Sequence, residues 1–174
     1  MHRTRLCSWR RLGSIFGLAS GLALLTAATP ALAADAPATA DVLGKLHESN
    51  QKEIAMGKMA QKNGKSKEVT SYGKMLVKDH SAADKKVLAL AKQEKLELPT
   101  PAAAKEDMPA MGAEFDASFA KSMVDDHKKD IDEVTKARDN TTDEKLKKLL
   151  SDMLPTLQKH EDTAQKIVDN TGKK

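Results

Sequence analysis

Four imidazoles, His47, His80, His127 and His160, fall in four separate segments of helical period. His80 follows Leu76 by four residues and precedes Val87 by seven. His127 lies between Met123 and Ile131, and His160 between Leu157 and Ala164. These intervals place the last three on the apolar stripe of a helix, where a leucine would normally sit. His47 borders the stripe Leu43, Leu46, Asn50, Gly57, and Glu53 turns toward the same side. A buried glutamate is costly unless it is paired or ligating. Glu53, His80, His127 and His160 are therefore candidate ligands for one zinc, copper or iron ion, with His47 an additional candidate. The alternative is a buried polar layer in which each ring bonds a neighbouring carboxylate or carbonyl. Asp84, four residues after His80, and Asp130, three after His127, are placed to orient those two rings, or else are surface charges.

One kind of metal chemistry is disfavoured. Carboxylate-bridged di-iron bundles carry Glu-x-x-His on two helices. Here Val77, Val124 and Leu157 precede the three histidines at that spacing. Methionine offers a weaker signal, through Met108-Pro109-Ala110-Met111 and through Met56 and Met59. Thioethers bind Cu(I), although packing accounts for them more simply. There is no Gly-x-Ser-x-Gly motif and no phosphate-cradling glycine loop, so the reading leans away from an enzyme.

The elements that must carry these residues are all helices. Aromatic residues make up only 3% of the chain, and Ala, Lys, Leu, Glu and Asp dominate, which favours helix over strand. A first helix is expected over about 41–61, with Asp41 as N-cap and Asn63-Gly64-Lys65 ending it. Ser66 caps a second helix running to about Lys95, where Leu98-Pro99-Thr100-Pro101 stops it. A third is expected over 114–138. The fourth starts from a Thr141/Glu144 capping box and continues to about Asn170, kinked near Ser151 by Pro155. Two short turns flank one long connection, so the expected fold is all-α: a ferritin-like four-helix bundle of two hairpins joined by a long crossover. The spacing Val77–His80–Val87 is echoed in Leu157–His160–Ile167, as equivalent helices of two hairpins would show. The three histidines also fall at similar depths along their helices, so a common layer is expected.

Residues 1–33 read as an export signal. Arg3, Arg5, Arg10 and Arg11 precede an apolar run from Ile15 to Ala28, and Ala31-Leu32-Ala33 is a small-x-small site with cleavage expected after Ala33. Arg10-Arg11 matches a twin-arginine pattern poorly, which favours the general secretory route. Residues 34–40 read as a loose leader, 41–170 as the bundle and 171–174 as a tail. Removing four arginines from 29 basic residues leaves 25 against 25 acidic ones. The mature chain is then neutral, and its charge gives no reason to expect nucleic acid as a partner. Cys7, the only cysteine, lies in the signal, so no disulfide or thiolate is expected in the mature chain. No mature segment is apolar for long enough to span a membrane. The periplasm, with a peripheral position at the outer membrane as a variant, is the expected location.

Several stretches carry a resemblance. They are Asn50-Gln51-Lys52-Glu53 with Gly57-Lys58-Met59-Ala60, Tyr72 through His80, and Leu98-Pro99. Phe115 through Phe119 leading to Met123 through His127, and Leu154 through His160, also belong to it. The chain resembles a bacterial family of unknown function, exported ferritin-like four-helix proteins often labelled "predicted outer membrane protein". The resemblance spans about 41–168. It implies that Glu53, His80, His127 and His160 belong to a shared core and that His47 is optional. It supplies no activity, and its membrane label fits these residues poorly, because they lack the alternation of a barrel strand. Three readings remain open. One is a metal-binding bundle for storage, buffering or envelope stress. The second is a non-metal envelope protein that meets a protein partner or forms a homo-oligomer. The third, less favoured, is an oxygen- or peroxide-handling metalloenzyme.

Overall fold

A computed structural model describes residues 32–101 and 114–171, with side chains from Thr39 onward. It contains four helices: α1 (Leu32–Asn63), α2 (Lys67–Gln93), α3 (Phe115–Asn140) and α4 (Glu144–Thr171). There is no strand among the described residues. The fold is an all-α four-helix bundle. The main packing is α1 against α2 and α3 against α4, with α2 on α4 and α1 on α3 closing the square.

Polar contacts fix the direction of each helix. The Asp116 carboxylate at the start of α3 accepts the Lys65 and Ser66 amides just before α2, at 2.8 and 2.7 Å. Lys145 at the start of α4 pairs with Glu94 just beyond α2 at 2.5 Å. Thus α2 and α3 start at one end of the bundle, and α2 finishes where α4 starts. The end of α2 and the start of α3 lie at opposite ends, so their connection has to bridge the bundle's length. This is the ferritin-like arrangement of two hairpins and a crossover. Met108 and Met111, on that connection, lie outside the described residues.

Local boundaries depart from expectation in two places. Helix α1 does not start at an Asp41 cap but runs back to Leu32 through alanine-rich sequence that sustains helix. Buried Thr39 already belongs to the fold, because its hydroxyl donates to Asp143 at 3.2 Å. The start of α4 is capped by Asp143, whose Oδ1 accepts the Lys145 and Leu146 amides at 2.9 and 3.1 Å. Thr141 instead accepts the Asp143 amide at 3.1 Å, one residue too early for a capping box with Glu144. As expected, α4 continues through Pro155 as one helix, with the proline on the solvent face. The carbonyl it deprives of a partner, that of Ser151, is on an exposed residue and open to water. Ser66 caps α2 as expected, accepting the Val69 amide at 3.2 Å.

The core is interrupted. One apolar cluster, including Tyr72, Leu76, Phe115, Phe119, Met123 and Ile167, fills the end where α2 and α3 begin. A second, including Leu43, Val87, Val134, Leu146, Leu150 and Leu157, fills the other end. Between them lie the buried polar side chains Asn50, Glu53, His80, Asp84, His127 and His160.

Candidate metal centre

The three inward histidines converge. Their ring centroids are 5.7 Å apart for His80–His127, 5.1 Å for His80–His160 and 5.2 Å for His127–His160. One ligand nitrogen from each lies within 4.8 Å of the others, a group that could hold a metal ion. His127 and His160 are fully buried and His80 is 3% exposed.

The crossing of α1 and α2 sets part of this register. A Cβ on Gly57 would lie 2.7 Å from the Gly73 carbonyl oxygen, and one on Gly73 would lie 2.6 Å from that of Gly57. The backbones therefore nearly touch, which only glycine permits. Two helical turns away along both chains, Asn50 meets His80.

Hydrogen bonds fix which ring nitrogen carries the proton. Asn50 Oδ1 can only accept, so His80 Nδ1 donates to it at 2.9 Å. The Met123 carbonyl can only accept, so His127 Nδ1 donates to it at 2.9 Å. Asp79 accepts from His160 Nε2 at 3.2 Å. Burial pushes all three rings toward the neutral form. His127 is lowered to about 4, His160 is lowered despite Asp79, and His80 falls furthest because the other two rings add to its burial. In neutral rings so bonded, the inner nitrogens are bare. His127 Nε2 faces His160 Nδ1 at 3.3 Å, a pair that neutral rings bonded outward leave with no proton to share, and His80 Nε2 is buried without a partner. Two facing lone pairs repel, and an unpaired buried nitrogen is costly. A cation that accepts all three lone pairs relieves both penalties.

The remaining candidates are placed differently. Glu53 is 1% exposed and its Oε2 has no partner, yet it is not in the converging group. Burial, aided by Asp130 and Asp126 and opposed by Lys52, raises its carboxyl to about 8, which favours the neutral form at pH 7. The Tyr72 hydroxyl is also buried without a partner, and its ring packs edge-on against His160 at 6.3 Å. His47 stands apart from the triad, with Nδ1 2.6 Å from Asp84 Oδ1. Asp84 also accepts from Gln51 at 2.7 Å and so does not orient His80, because at its level α1 presents His47 and Gln51. Asp130 accepts from Ser49 at 2.8 Å and likewise faces α1 rather than His127. The groups that do orient the rings are Asn50, Asp79 and the Met123 carbonyl. Asn50 was visible as a polar residue in an apolar stripe and Asp79 as the neighbour of His80. The choice of a backbone carbonyl for His127 left no trace in the sequence.

No helix among the described residues is long and apolar enough to cross a membrane. Among curated proteins no relative matches the chain. Solved structures with this fold include CopM in the Cu(I)-bound form, with a TM-score of 0.67 at 19% identity, covering 76% of this chain and 96% of that one. CopM in the Ag-bound form gives 0.66 at 20% identity with the same coverage. The Cu(II)-bound form gives 0.63 at 18%, again with that coverage. Identities this low carry the fold alone. Residues 24–167 match the family described as domain of unknown function DUF4142, and the chain belongs to that family.

Proposed function

We propose that this protein holds one monovalent, copper-type cation on the inner nitrogens of His80, His127 and His160, and that it sequesters or buffers that ion after export to the periplasm. The carrying observation is the convergence of three buried ring nitrogens, two of them 3.3 Å apart and the third without a partner. The donor set is three neutral imidazoles, with the nearby glutamate held neutral. Burying a single positive charge among neutral donors costs less than burying two. A d¹⁰ monovalent ion also accepts three nitrogens, whereas structural zinc asks for four ligands. The CopM structures with Cu(I) and Ag support this choice of ion by analogy of fold. The export signal read in residues 1–33, with its Ala31-Leu32-Ala33 site, supports the location.

The alternative of a purely structural polar layer accounts for the outer nitrogens, each of which has its own partner. It leaves the inner three unexplained. The two readings separate in a competition titration of the metal-free protein, lacking residues 1–33, against a Cu(I) chelator. One equivalent should bind, and His127→Ala or His160→Ala should weaken it by at least about 100-fold. Binding that is absent, or undiminished in both variants, would overturn the proposal.

A further inference from the structure

One cavity reaches the triad from the surface. It lies between α2 and α4, holds about 190 Å³, and is lined by Asp79, His80, Met153, Thr156 and His160 among others. Its outer wall includes Ala82, with Lys86 and Lys159 at its rim. The groove on the opposite side, between α1 and α3, touches none of the three histidines. There the rings are backed by Asn50 and by the Met123 carbonyl.

We infer that the α2–α4 cleft is the loading port of the metal centre, with Asp79 as the carboxylate that draws the cation into the cleft while holding the outer nitrogen of His160. The inference rests on the metal-binding reading above. Asp79 is 24% exposed and at the same time bonded to fully buried His160, so a single carboxylate spans solvent and site. Among the described residues it forms no ion pair with a lysine, unlike Asp152 nearby, which is tied to Lys148 at 2.8 Å. The Met153 thioether, 8% exposed on the same wall, supplies a soft contact along the way. A carboxylate at the mouth also raises the local cation concentration and hence the rate of capture. Thr156 and Ala82 line the passage and make none of the hydrogen bonds that hold the three rings, so filling it leaves those bonds and the donor set in place.

The test is the rate of Cu(I) uptake from its cationic acetonitrile complex, followed by stopped flow on the full mature chain. Ala82→Trp with Thr156→Phe should slow both loading and release about tenfold while leaving affinity and stoichiometry unchanged. Lys45→Trp, equally bulky but in the α1–α3 groove, should load at the parent rate. Asp79→Asn keeps an acceptor for His160 and removes the charge, leaving Lys86 and Lys159 at the mouth, so it should slow loading about threefold or more and make loading faster, not slower, as salt is raised. A parent protein that binds one equivalent, with filled-cleft and Asp79→Asn variants loading equally fast, overturns the port alone. A parent protein that binds nothing overturns the metal centre and the port together.

Discussion

The buried histidines and Glu53 titrate in opposite senses. His127 has a folded value of about 4 against an ordinary 6.5. The stability that depends on its neutral ring is complete above about 6.5 and is lost as pH falls toward 4, because unfolding lets the ring take a proton. Glu53 is raised from 4.5 to about 8. Its contribution is complete below about 4.5 and is lost as pH rises through 8, because unfolding lets the carboxyl ionise. Glu53→Gln removes the second effect. The thermal midpoint of the metal-free variant, relative to the parent, should be several degrees higher at pH 8.5 than at pH 5. A difference independent of pH would show that Glu53 is not held neutral. The stripe positions of His80, His127, His160 and Glu53 were legible in the sequence, since a polar residue in a leucine register announces itself. The partners were not. Asp84 and Asp130 sit at helical intervals from histidines, but they turn to Gln51 and Ser49 on α1, and the choice depends on which helix packs alongside.

At the scale of elements, the α1–α2 hairpin is set by its closest approach. Gly57 and Gly73 lie backbone to backbone, and an added methyl at Gly57 would also come within 2.9 Å of Val77 Cγ2. Gly57→Ala should force the helices apart and lower stability by about 1–3 kcal/mol, measured by urea unfolding. Because Asn50 and His80 lie further along the same seam, it should weaken cation binding as well. An alanine that gains stability, as helix propensity alone would give, would contradict the tight crossing. The four helices were legible from their periods and the Ser66 cap from its residue type. The start of α1 and the Asp143 cap were not, because Asp41, Thr141 and Asp143 are all plausible caps by type. What decides between them is tertiary: Thr39 is drawn into the fold by Asp143.

At the scale of the whole molecule, a polar layer divides one bundle into two apolar halves. The hairpin–crossover–hairpin order follows from short, long and short connections, and it brings α2, α3 and α4 to a common height. That common height was legible by counting residues along each helix. The facing of two bare nitrogens was not, because it follows from hydrogen bonds on the far sides of the rings. Cation binding depends on those inner nitrogens, and X-ray absorption at the copper edge of the Cu(I)-loaded mature protein interrogates them directly. It should give three nitrogen scatterers at about 2.0 Å with imidazole outer-shell features, falling to two in His80→Ala. A sulfur-dominated shell, or a nitrogen shell unchanged by His80→Ala, would contradict it.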